Sequence, residues 1–175
     1  MSQIKFQSIQ QTTPLTRNTN EIGTIAEKLQ TPRKEIQSEI PAELREAKQV
    51  LLWVERDFDS VDKTGKILKQ HLPKLEIIKV SSSAEAGIWL STFGQQLSTK
   101  LLVMTNRYRE EDGKDKAWER VVEKVRELQL NTTAVIVFCG PQRVEEVKQK
   151  AKSRKHVIVT ADPTTILSEL QKINH

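Results

Sequence analysis

Apolar residues divide the chain into two regimes. From residue 49 onward, short runs dense in Val, Ile and Leu recur at 50–54, 75–80, 100–105, 134–138 and 156–160. They are continuous rather than alternating, as strands are in a parallel sheet covered on both faces. The segments between them carry apolar residues at helical spacing. The first holds Val61, Ile67, Leu68 and Leu72, the second Ile88, Leu90, Phe93 and Leu97, and the third Trp118, Val121, Val122, Val125 and Leu128. The last two segments hold fewer apolar residues and predict shorter helices. Asp59-Ser60 and the serines at 81–83 stand where N-caps belong, and Pro141 and Pro163 where first-turn prolines belong. Five strand-helix units in series predict an α/β fold. The expected form is a three-layer, doubly wound, flavodoxin-like sandwich on a parallel five-stranded sheet of order 2-1-3-4-5.

The first 48 residues read differently. They are rich in Gln, Thr, Asn, Glu and Lys, contain Pro14, Pro32 and Pro41, and carry only scattered apolar side chains. Such a stretch buries too little surface to offset chain entropy, so it reads as a flexible leader (1–48) ahead of one domain (49–175). Short helices are possible within it at 21–30 and 42–49, the second docking on the domain.

Composition narrows the chemistry. Cys139 is the only cysteine, which excludes an intramolecular disulfide framework and a cysteine-built zinc site. His71, His156 and His175 lack ligand-like spacing, so neither metal nor cofactor is expected. No basic region leads into an apolar run, and no stretch approaches a membrane span, which points to the cytoplasm and away from membrane partners. The net charge of +5 is spread along the chain. Its densest basic stretch, KQKAKSRKH at 148–156, reads as a solvated helix end, and nucleic acid is not expected as a partner.

In a doubly wound sheet, ligands bind beyond the carboxyl ends of the strands, where the strand order reverses. The residues leaving those strands are Glu55-Arg56-Asp57, Asn106-Arg107, Cys139-Gly140 and Asp162-Pro163. Here a family likeness appears. LLWVERDFDS resembles the opening of receiver domains of response regulators, and TNRYREEDG resembles their third-strand exit; the likeness covers about 49–172. It implies a signal-transduction domain. In such domains an acidic pair after the first strand holds a divalent cation, and an Asp after the third accepts a phosphoryl group. A hydroxyl after the fourth strand and a Lys before Pro after the fifth read the phosphate.

Carried over, the acidic pair falls on Glu55 and Arg56, the phosphoacceptor on Asn106, the hydroxyl on Cys139 and the lysine on Asp162. An amide cannot become an acyl phosphate, Arg56 puts a cation where magnesium needs an anionic oxygen, and Asp162 repels phosphate. The resemblance therefore implies a degenerate pocket of Glu55, Arg56, Asp57, Asn106, Cys139 and Asp162. Arg56 and Arg107 are expected to pair with Glu55 and Asp162 and close it. A metal on Glu55, Asp57 and Asn106 is the alternative. The expected function is that of a non-catalytic pseudo-receiver binding a protein partner or a second copy of itself. The face receivers commonly use would include Val144, Val147, Lys148, Lys155, Ile166 and Leu170, whose apolar members could equally belong to the core.

Two other readings compete. NAD-cleaving TIR domains share the βα plan, and Trp118 with Glu119 and Glu123 invites comparison. Their glutamate stands four residues after the Trp, where this chain has Val122, and one helical residue turns a side chain by about 100°. Trp118 is accordingly expected to cover the sheet. A nucleotide- or flavin-binding sensor needs a phosphate cradle, but the first loop is acidic and no glycine-rich phosphate motif occurs.

Overall fold

The computed structural model describes residues 40–106 and 117–173. The expectations for 1–39, the possible helix at 21–30 among them, lie outside the described residues. The strands and longer helices among the described residues are α1 (Ala42–Glu46), β1 (Gln49–Val54), α2 (Phe58–His71), β2 (Leu75–Val80), α3 (Ser83–Trp89), β3 (Leu101–Asn106), α4 (Ala117–Glu127), β4 (Val135–Phe138), α5 (Val144–Ala151), β5 (Val157–Thr160) and α6 (Pro163–Lys172).

All neighbouring strands pair in parallel, in the order β2-β1-β3-β4-β5. This is the expected flavodoxin-like topology. The central strands β1 and β3 are buried almost throughout, which explains their unbroken apolar sequence. Successive strand side chains alternate between faces. Leu51, Trp53, Leu102, Met104 and Ile136 therefore share one layer, which packs on Leu68 of α2 and on Ile166 and Leu170 of α6. Each such fully buried Leu or Ile contributes about 2 kcal/mol of hydrophobic stabilisation.

Helix boundaries follow local chemistry. Ser82 caps α3 by accepting from the Glu85 N–H at 3.1 Å, and the Glu85 carboxylate accepts from the Ser81 N–H at 2.9 Å. These reciprocal bonds satisfy backbone donors that the first turn leaves open. Pro163 occupies the first turn of α6. Pro141 instead opens a 3-10 turn, Pro141–Arg143, ahead of α5. α2 begins at Phe58, so Asp59 lies inside its first turn rather than before it. At its far end His71 Nδ1 donates to the Ile67 carbonyl at 3.1 Å.

Three strands, β3, β4 and β5, start one residue later than the apolar runs indicate. A 3-10 turn, Ser98–Lys100, occupies the residues before β3, and His156 before β5 has a left-handed φ of 60° that breaks extended geometry. Two apolar residues expected in the core face solvent: Ile67 is 43% exposed and Ile88 50%. The buried stripe of the second helical segment runs through Ala86, Trp89, Leu90 and Leu97. Ile88 stands beside that stripe, not on it. α3 continues through a π-helical turn, Leu90–Gly94, where a Cβ on Gly94 would meet Leu130 at 3.1 Å.

Two cations bind backbone at the amino end of the sheet. α1 belongs to the same compact unit as the sheet and buries Leu44. Lys100 Nζ donates to the carbonyls of Arg45 and Ala47 at 2.9 and 2.8 Å. Arg126 donates to the carbonyls of Leu130, Thr133 and Lys155 at 2.6, 3.2 and 2.8 Å. Burial lowers the pKa of both groups.

Candidate functional site

β1 and β3 lie side by side where the strand order reverses, and their register ends on Val54 opposite Thr105. The next residues along are Glu55 and Asn106. By alternation, both continue the face occupied by Trp53 and Met104. The sheet thus brings together the two positions that carry the strongest chemical expectation.

The result is a continuous chain of hydrogen bonds. Asn106 Nδ2 donates to Glu55 Oε1. Trp53 Nε1 donates to Asn106 Oδ1 at 3.4 Å, and the Asp57 N–H donates to Glu55 Oε2 at 2.9 Å. Each Glu55 oxygen therefore has a protein donor, and the asparagine amide is used at both ends. Glu55 is buried, which makes these partners necessary, because a buried carboxylate without donors is costly. An aspartate at 106 would have no N–H to offer Glu55. The amide is the group that lets these neighbours coexist.

Packing around the indole supports the chain. Phe58 meets Trp53 edge-on, with ring centroids 6.4 Å apart, and Lys79 Nζ lies 5.5 Å from the Phe58 ring. This aromatic support at the site was not foreseen from the sequence. Its signal was the Trp within the strand directly preceding the acidic exit.

The remaining pocket residues have other partners. Cys139 is buried, and its N–H donates to the Thr160 carbonyl at 3.0 Å. Its place is that of a small core residue rather than an exposed redox thiol. Asp162 Oδ1 accepts from the Thr164 N–H at 2.9 Å and caps α6. That backbone bond, with a side-chain bond to Thr164, holds the Asp162 carboxyl below its ordinary pKa. The Asp162 N–H in turn donates to Thr160 Oγ1 at 3.0 Å. Asp162 therefore serves its own helix, whereas an arginine partner was expected. Arg107, the other member of that expected pairing, lies outside the described residues. Arg56 and Asp57 are exposed.

A divalent cation does not fit this donor set. The buried carboxylate already accepts at both oxygens, and the amide presents its N–H to Glu55. Among the described residues no group of three or more His, Cys, Asp or Glu is placed to hold a metal ion. No helix among them is long and apolar enough to cross a membrane.

The expected interaction face needs correction. Val147, Ile166 and Leu170 are fully buried, the last two in the layer beneath Trp53, so they hold the core and offer nothing to a partner. Their apolar character reflects the inner sides of α5 and α6. Val144 is half-buried, while Lys148 and Lys155 are exposed. The residues compared with a TIR site are committed as well. Trp118 is buried beneath Arg154, whose guanidinium lies 5.5 Å from its ring and 3.5 Å from the Glu119 carboxylate. Glu123 is exposed.

Neither a family model nor a curated protein matches the sequence. Solved structures do match the fold. One is a DNA-binding response regulator of the LuxR family from Staphylococcus aureus, with TM-score 0.54, 14% identity, and coverage of 73% of this chain and 99% of that one. Another is the phosphorylated cyanobacterial phytochrome response regulator RcpA, with TM-score 0.50, 18% identity, and coverage of 73% and 90%. The described domain has a receiver-like fold.

Proposed function

We propose that this domain is a pseudo-receiver, a signalling module that binds a protein partner or a second copy of itself and carries out no phosphoryl transfer. The observation that carries the reading is the bond from Asn106 Nδ2 to Glu55. At the position where a receiver needs an ionised carboxylate, this chain has an amide. That amide gives the buried acid of the site a hydrogen-bond donor from within the protein, in place of a metal ion. Arg56 and Asp162 support the same reading, since a cation sits where magnesium would need an oxygen ligand, and a carboxylate where phosphate would need a cation. Recognition then falls to exposed surface, and Lys148 and Lys155 are the members of the expected face that a partner can reach.

The test is chemical. The full chain is incubated with acetyl phosphate and magnesium, and its intact mass is followed. The expected result is no mass gain, and Asn106→Asp alone gains none while Arg56 and Asp162 remain. A hydroxylamine-sensitive phosphoryl adduct on the unaltered chain would overturn the reading. Sedimentation of the same sample over a range of concentrations separates a self-associating chain from one that needs a foreign partner.

A further inference from the structure

The basic stretch at 148–156 takes no part in the site at the carboxyl end of the sheet, yet it contains an exposed serine. Ser153 lies in the turn between α5, which ends at Ala151, and β5, which begins at Val157. The Arg154 N–H donates to the Ala151 carbonyl at 2.9 Å, which holds the turn. Ser153 itself makes no side-chain hydrogen bond among the described residues. Lys148, Lys150 and Lys152 precede it, Arg154 and Lys155 follow it, and no acidic residue occurs from Val147 to Ala161. Among the exposed serines and threonines described, only Ser153 has a cation at both adjacent positions. Lys148, Lys152 and Lys155 form no ion pair among the described residues, whereas Lys150 lies 3.7 Å from Glu146.

We infer that Ser153 is a phosphorylation site for an ATP-dependent serine kinase whose acidic substrate groove selects basic flanks. Ser153 Oγ bonds to the γ-phosphorus of ATP, the bond from that phosphorus to the β,γ-bridging oxygen breaks, ADP leaves with the electron pair, and the hydroxyl proton passes to the kinase base. The product is a near-dianion just beyond the carboxyl end of α5. The helix dipole opposes it there, but the surrounding cations outweigh a dipole effect confined to the last turn. Arg154 is the group it recruits. Its present partner, Glu119, is a single carboxylate 3.5 Å away, and phosphate offers the guanidinium shorter, charge-assisted bonds. Phosphorylation would thereby loosen a tie between α4 and the α5–β5 turn.

The experiment uses the full chain, ATP and the catalytic domain of a basophilic kinase such as protein kinase C, with the modified residue mapped by peptide mass spectrometry. The expected result is one phosphate on Ser153, with incorporation about tenfold lower in Ser153→Ala. No incorporation, incorporation that persists in Ser153→Ala, or incorporation only into heat-denatured chain would each overturn the inference. The phosphorus-31 shift of the product, titrated against pH, tests the arm to Arg154. The second phosphate pKa is expected below its ordinary value of about 6 and to return there in Arg154→Gln; equal values in both proteins would overturn that arm. Neither readout depends on whether the carboxyl-end site accepts a phosphoryl group from acetyl phosphate.

Discussion

The two ends of the parallel sheet handle charge in opposite ways. At the carboxyl end a buried carboxylate, Glu55, is satisfied by side-chain and backbone donors from Asn106 and Asp57. At the amino end Lys100 and Arg126 spend their donors on five backbone carbonyls spread over α1, the α4–β4 turn and the approach to β5. The amino end is a structural clamp, in which charged side chains replace the partners that loop carbonyls would otherwise take from water. The carboxyl end, at the point where the strand order reverses, turns its polar groups on one another. A buried acid can thus be held inside such a fold, provided neighbouring groups supply its donors.

That contrast yields graded expectations. The largest effect belongs to Asn106→Asp, which removes the donor to Glu55 and sets two carboxylates together out of water. A loss of about 3 kcal/mol at neutral pH is expected. Crowding raises the pKa of one carboxyl of the pair in the folded state, so the deficit is full above the ordinary carboxylate range and shrinks as pH falls and the pair takes up a proton. Urea unfolding midpoints at pH 7 and pH 4 measure this, and a variant as stable as the parent at pH 7 would remove the special status of the amide. Next comes Arg126→Met, which leaves three carbonyls without their cation and is expected to cost about 2 kcal/mol. Hydrogen exchange should speed up at the amino end, around the start of β5, with the amides near Glu55 unchanged. The smallest effect is that of Asp162→Asn. Asparagine is also a good N-cap, so stability at pH 7 should barely move. The Asp162 pKa is depressed in the fold, so its contribution is present above the unfolded value of 3.8 and is lost as pH falls through the lower folded value. Unfolding midpoints followed below pH 4 should fall more steeply in the parent than in Asp162→Asn.

The sheet was legible in the sequence because burial on both faces leaves a mark that needs no partner to read: five runs of Val, Ile and Leu with helix-length spacers. The site positions were legible too, because a doubly wound topology fixes which loops converge. What escaped were relations between distant residues. The Arg126 bond to Lys155 spans 29 positions and the Lys100 bond to Ala47 spans 53, and neither leaves a local pattern. Ile67 and Ile88 misled because each stands one position from a buried residue, where helical spacing alone discriminates poorly. Asp162 was assigned to an ion pair on the strength of its place in the pocket, although Asp-Pro-Thr-Thr already spelled a capped helix start.

The indole of Trp53 ends the hydrogen-bond chain that runs through Asn106 to Glu55. Trp89 and Trp118, the other two tryptophans, belong to helices that pack on each other, away from this site. The molecule therefore carries a built-in optical gauge. Any event that draws the Asn106 amide aside changes the polarity at one indole N–H and leaves two reference chromophores untouched, so a change at this site is readable from ultraviolet emission without a label.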